Sequence, residues 1–275
     1  MNGDPLNFDF AFPSGTKTLG LRHARLFTAL HAPGPVVLFV HGGFHGAWSW
    51  APYMRLFAAH KISTASIDLR GHGGLPQDSG FLQDGVDALS EDVCEAAAAL
   101  GGDVVLAGHS LGALVAMAAA REMCPRALAM LAPAPPANIP KLHALPPFAD
   151  NAPVAPPPEA RARRWLLQGL DANADIAPYL ARLCAESPAL LNDRYCERIV
   201  VDPTWVAGPR LCMSGERDAS PLTDSRESAA VAALFGADIV TLPDAGHCFM
   251  LEATWRHSAE RLRAWLDAHN LTAAY

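Results

Sequence analysis

The chain has 275 residues, 51% of them hydrophobic, with 23 prolines, 21 glycines and a formal net charge of −7. That composition excludes a disordered tail, a collagen and a coiled coil, and the acidic balance leaves no electrostatic footprint for nucleic acid. The longest stretch free of Asp, Glu, Lys and Arg, Leu26 to Met54, holds Pro33, Pro35, Pro52, four glycines and three histidines. It does not read as a membrane span, which needs about 20 continuous apolar residues.

From the N-terminus, Met1-Asn2-Gly3-Asp4-Pro5 lacks the basic-then-apolar pattern of a secretory leader, which points to the cytoplasm. Strand-like runs then alternate with helical ones. Arg22 to Leu30 is the first candidate strand, and Val36 to Val40 (VVLFV) is an apolar run suited to a strand buried on both faces. Ser63 to Leu69, Val104 to Ala107, Ala127 to Leu131, Arg210 to Ser214 and Ile239 to Leu242 follow. Helices are predicted at Trp50 to Ala59, Asp84 to Leu100, Leu111 to Glu122, Asp224 to Phe235 and Glu252 to Ala268. This alternation predicts an α/β fold, a mostly parallel central sheet flanked by helices.

The rhythm breaks after Leu131. Ten of the 23 prolines fall between Pro133 and Pro158, a density no sheet strand tolerates. Helical segments are predicted beyond it, at Glu159 to Leu170 and Ala174 to Glu186, and the basic group Arg161, Arg163 and Arg164 reads as a solvated helix face. Length alone suggests two domains, but single α/β domains run to roughly 250 residues. The reading is therefore one core, residues 1–132 and 208–275, interrupted by a helical cap at 133–207. The six cysteines form no C-x-x-C pair and read as free, mostly packed thiols.

Gly108-His109-Ser110-Leu111-Gly112 lies between a strand and a helix. A serine on so tight a turn needs small residues two places either side, and its hydroxyl then stands at the sheet edge beside the positive end of a helix. Serine also needs a base and an orienting acid. His247, on the loop after the last strand, is the candidate base; His41, His45, His72, His109, His257 and His269 read as packing or surface residues. Asp218, on the loop after Arg210 to Ser214, is the candidate acid and is preferred to Glu216. The Leu111 N–H is one expected oxyanion donor. The other comes from His41-Gly42-Gly43-Phe44-His45-Gly46, with Gly43 first and Phe44 second.

Together HGGFHGAW, DLRGHG, GHSLG, GERD and AGH resemble the α/β-hydrolase superfamily, in its order Ser, Asp, His. The stretch HGAWSW is similar to the plant methylesterase and hydroxynitrile lyase branch, while DLRGHG is commoner in bacterial esterases, lactonases, haloperoxidases and C–C hydrolases. The resemblance implies an oxyanion loop, a structural turn and a triad of Ser110, Asp218 and His247. Serine rather than aspartate at position 110 argues against dehalogenase or epoxide hydrolase chemistry.

The function expected is a serine hydrolase cleaving an ester, thioester or lactone of a small, largely apolar molecule, with no cofactor and no metal. Trp165, Leu166, Leu167 and Leu170 are expected to supply an apolar pocket. Two alternatives stay open: C–C cleavage or cofactor-free lyase or peroxidase chemistry on the same triad, and a ligand receptor on the same fold. No membrane or nucleic-acid partner is expected, and the oligomeric state is not legible.

Overall fold

A computed structural model describes residues 9–31, 33–140, 142, 145–220 and 224–272; the first residues, where the leader pattern was sought, lie outside them. Among the described residues one eight-stranded sheet runs in the order β1-β2-β4-β3-β5-β6-β7-β8. Its strands are β1 (Lys17–Gly20), β2 (Arg25–Ala29), β3 (Val36–Val40), β4 (Thr64–Asp68), β5 (Val104–His109), β6 (Ala127–Leu131), β7 (Arg210–Gly215) and β8 (Asp238–Leu242). β1 pairs antiparallel with β2 and β2 with β4; the pairs from β4 through β8 are parallel.

The helices of the core are α1 (Ala51–Ala59), α2 (Val86–Ala99), α3 (Leu111–Met123), α7 (Ser225–Phe235) and α8 (Trp255–Ala268). The run VVLFV explains why both sheet faces are covered. Side chains alternate along a strand, so Val37 and Phe39 join Trp50, Tyr53, Leu262 and Leu266 on one face. Val36, Leu38 and Val40 join Val93, Leu114 and Met117 on the other. Phe39 stacks on Trp50 at 4.7 Å between ring centroids. No helix among the described residues is long and apolar enough to cross a membrane.

Two expectations need correction. The first predicted strand is the second arm of a hairpin, whose other arm, β1, carries four exposed residues with no apolar alternation to betray it. Between β6 and β7 the helices are shorter than predicted: α4 (Glu159–Trp165), α5 (Ala177–Leu180) and α6 (Pro188–Tyr195). Pro178 allows α5 to begin but not a helix to run through it, and the Asp175 carboxylate accepts the Ala177 N–H at its start. Beyond α5 the backbone leaves the helical pattern for other partners: Cys184 N–H donates to Phe44 O, and Glu186 pairs with Val154 in an isolated bridge. α6 was missed although Ser187 caps it and Pro188 opens it.

Candidate active site

The parallel strands deliver their C-terminal ends to one edge, where ligands of open α/β sheets bind. β3 leads into the 41–46 loop, β5 into Ser110, β7 into Asp218 and β8 into His247. Ser110 has φ 53° and ψ −123°, a conformation that a non-glycine residue adopts only when its surroundings impose it. Those surroundings are tight: a Cβ on Gly112 would stand 2.1 Å from the His41 carbonyl oxygen, and one on Gly108 2.4 Å from that of Gly112. α3 can therefore cross against β3 and β5 only with glycine at both places.

His247 is buried, and its Nδ1 donates to Asp218 Oδ2 at 2.9 Å. This leaves Nε2 as the nitrogen able to accept a proton. Glu216, the rejected competitor, is exposed and receives the Asp244 N–H instead. Ser110 and His247 line one cavity of about 260 Å³ together with Gly42, Gly43, His45, His109 and Leu111. Neither the Gly43 nor the Leu111 amide has a hydrogen-bond partner among the described residues. Phe44, the second choice for a donor, is already engaged: its N–H donates to Glu186 Oε2 at 2.9 Å.

The β6–β7 connection supplies the other walls, through Phe148, Val154, Pro156, Pro157, Leu191 and Tyr195 among others. Of the four apolar residues expected there, Trp165 and Leu166 line the cavity, whereas Leu167 and Leu170 pack into the core. Arg161, read as solvated, lies over the Trp165 ring at the cavity wall. Arg194 also lines it while paired with Glu227 at 2.8 Å, both side chains almost wholly buried.

Four histidines expected only to pack or face solvent surround this site in contrasting electrostatic settings. Burial holds His41, His45 and His109 below the usual imidazole range, His45 at about 4. Their bonds fit neutral rings. His45 Nδ1 donates to Gly43 O at 2.6 Å and Nε2 lies 3.1 Å from the Tyr179 hydroxyl, while His41 Nε2 accepts the Leu69 N–H. His109 Nε2 donates to His247 O at 3.0 Å, and its Nδ1 has no partner among the described residues.

His72 differs: its Nδ1 faces Arg70 O at 2.8 Å and its Nε2 faces Glu186 Oε2 at 3.1 Å, a setting that favours the protonated ring. Burial alone would lower its pKa, but the Glu186 carboxylate holds it above the usual value.

A second buried carboxylate supports the histidine loop. Glu252 accepts the N–H groups of Gly246, at 2.6 Å, and Gly169, at 3.0 Å, and burial raises its pKa to about 7. Gln168 Oε1 accepts the His247 N–H at 3.0 Å. Among the described residues no group of three or more His, Cys, Asp or Glu side chains could hold a metal ion, and all six cysteines are free.

This sheet order, with an elbow serine and a carboxylate-held histidine lining one cavity at the same sheet edge, is that of an α/β hydrolase. The chain belongs to that family: the model described as the alpha/beta hydrolase family matches residues 37–261. It is 35% identical to protein phosphatase methylesterase 1 of Mus musculus over 104 residues, 35% of this chain and 26% of that protein. It is 37% identical to a probable esterase of Oryza sativa subsp. indica over 95 residues, 34% of this chain and 35% of that one. The matches thus span about a quarter to a third of these relatives. The structure of a methylesterase from Arabidopsis superposes with a TM-score of 0.67 at 20% identity, covering 84% of this chain and 98% of that one. At that identity the likeness shows the fold.

Proposed function

We propose that the protein is a serine hydrolase that cleaves a carboxylic ester, thioester or lactone of a small, largely apolar substrate through an acyl-enzyme on Ser110. One observation carries this reading: a backbone-strained serine and a histidine whose Nδ1 is held by a buried aspartate open into the same small cavity. The esterase and methylesterase names of the relatives support it.

In this reading Ser110 Oγ attacks the carbonyl carbon while His247 Nε2 takes the hydroxyl proton. The oxyanion accepts the Gly43 and Leu111 N–H groups, with the N-terminus of α3 adding its positive end; a single such donor is worth about 3 kcal/mol. His247 returns the proton to the leaving oxygen or sulfur as the acyl bond breaks. Water, deprotonated by the same histidine, then releases the acid and restores Ser110. Asp218 fixes the tautomer and stabilises the imidazolium. Residues 133–207 act as a cap, and their apolar wall selects an apolar acyl or alcohol group.

Ser110→Ala tests the reading. Turnover of a short p-nitrophenyl ester should fall by about 10⁶ in kcat, the cost of removing a triad nucleophile. Turnover like that of the wild type would end the proposal, and product analysis would separate ester cleavage from C–C cleavage.

A further inference from the structure

The 42–46 loop is gripped by the cap through three contacts on two neighbouring residues, Phe44 and His45. The Tyr179 hydroxyl meets His45 Nε2, and His45 Nδ1 in turn holds Gly43 O. Cys184 N–H donates to Phe44 O at 2.9 Å. Glu186 Oε2 receives Phe44 N–H at 2.9 Å and His72 Nε2 at 3.1 Å, while its Oε1 receives the N–H of Ser187 at 2.8 Å. Glu186 is fully buried, and Phe44 is held at φ 66°, a conformation disfavoured for a bulky side chain.

A buried carboxyl group is costly unless its lone pairs are used, and here the partners are an imidazole nitrogen and two backbone amides. Glu186 spends one of those bonds on the amide next to Gly43. The Gly43 carbonyl and the Phe44 amide share one peptide plane, which these contacts fix. The Gly43 N–H lies in the preceding plane, whose Gly42 carbonyl is held by His41 Nδ1 at 2.8 Å and the His45 N–H at 3.3 Å, so the loop is pinned on both sides of Gly43.

We propose that Glu186 is a positioning residue for the oxyanion hole: by holding the Phe44 amide it fixes the peptide plane on the far side of Gly43 and so keeps the loop that carries the Gly43 N–H from turning away from the developing oxyanion, making the hole complete only while the cap is seated. This rests on the serine hydrolase reading above. The carboxylate acts through the loop and touches no substrate. His72 Nε2 faces the carboxylate at 3.1 Å and so offsets it within the protein.

The test compares Glu186→Gln, Glu186→Asp and Glu186→Ala on one p-nitrophenyl ester, after a fluorophosphonate has been shown by mass spectrometry to label Ser110 in the wild type. Gln can still present an oxygen to Phe44 and His72, whereas Asp keeps the charge but withdraws it from the amide. The expected order of kcat is wild type, then Gln within about threefold, then Asp and Ala lower by about 10- to 100-fold, less than deletion of a donor because the N–H is misaimed rather than removed. KM should stay within about threefold, and inhibition by a trifluoromethyl ketone should weaken in step with kcat/KM, as for any group acting in the transition state. Should Ala fail to fold, the order of Gln and Asp decides.

Asp outperforming Gln would overturn the proposal, because charge pairing with His72 would then be the whole role. So would a loss confined to KM, or unchanged kinetics in all three. A wild type that does not label at Ser110 would instead sink the hydrolase reading, and the clamp with it.

Discussion

The β5–α3 elbow and the β6–β7 connection face each other across one cavity but are held in different ways. The elbow is a product of backbone and packing: β5 is buried along its whole length, nine residues of α3 are buried, and Gly108 and Gly112 let the two approach. The connection has short helices and is fastened by polar latches, among them Arg194 to Glu227, Glu186 to Phe44 and His72, and Gly169 to Glu252. In the proposed reading, chemistry that tolerates little displacement is assigned to the first kind of structure and selection among substrates to the second.

If the contrast is sound, damage to the rigid side should abolish chemistry without loosening the fold. Asp218, on the loop after β7, serves the elbow through His247: Asp218→Asn keeps the shape but presents the wrong partner to His247 Nδ1, and should lower kcat by about 10⁴ with little change in Tm. Steady-state kinetics beside a melting curve checks both halves. Damage to a latch should do the reverse. Arg194→Met leaves the Glu227 carboxylate buried without its cation and should cost about 3–5 kcal/mol in urea unfolding, with residual activity at temperatures where the variant stays folded.

The Glu252 latch gives a pH signature. Its pKa in the folded protein, about 7, stands above the ordinary 4.5 because burial disfavours the charged form. A raised folded-state pKa means that its contribution to stability is fully present below pH 4.5 and is lost as pH rises to about 7. Over that window wild type should lose about 3 kcal/mol relative to Glu252→Gln, which has no proton to lose. Unfolding of the pair at several pH values reads the difference, and parallel curves would remove Glu252 from the scheme. The smallest effect belongs to the cavity wall. Phe148→Ala should raise KM for a short apolar ester about tenfold and leave kcat nearly unchanged, as expected where a wall contributes uniform binding.

The same contrast decided what could be read from the sequence. VVLFV, the strand before Ser110 and the periodic face of α8 carry strong local patterns, and the order and class of the core elements followed from them. The positions of Ser110, Asp218 and His247 were legible because each lies just past a strand, where topology brings residues to one edge. Glu186, Tyr179 and His45 were not, because a buried carboxylate or ring looks like an exposed one until its distant partner is known. α6 shows the same limit: Asn192 and Arg194 are buried there, so its apolar periodicity is broken by residues whose partners, Phe148 and Glu227, lie 44 and 33 residues away.

The acyl-enzyme itself offers the most direct measurement. The protein is mixed with p-nitrophenyl acetate, quenched in acid during turnover, digested and analysed by mass spectrometry, with Ser110→Ala treated alongside. Acetylation of the peptide bearing Ser110, released on further incubation and missing in the variant, is the expected result. Steady hydrolysis of the ester by wild type with no acyl group ever found on Ser110, or equal hydrolysis by the variant, would contradict it.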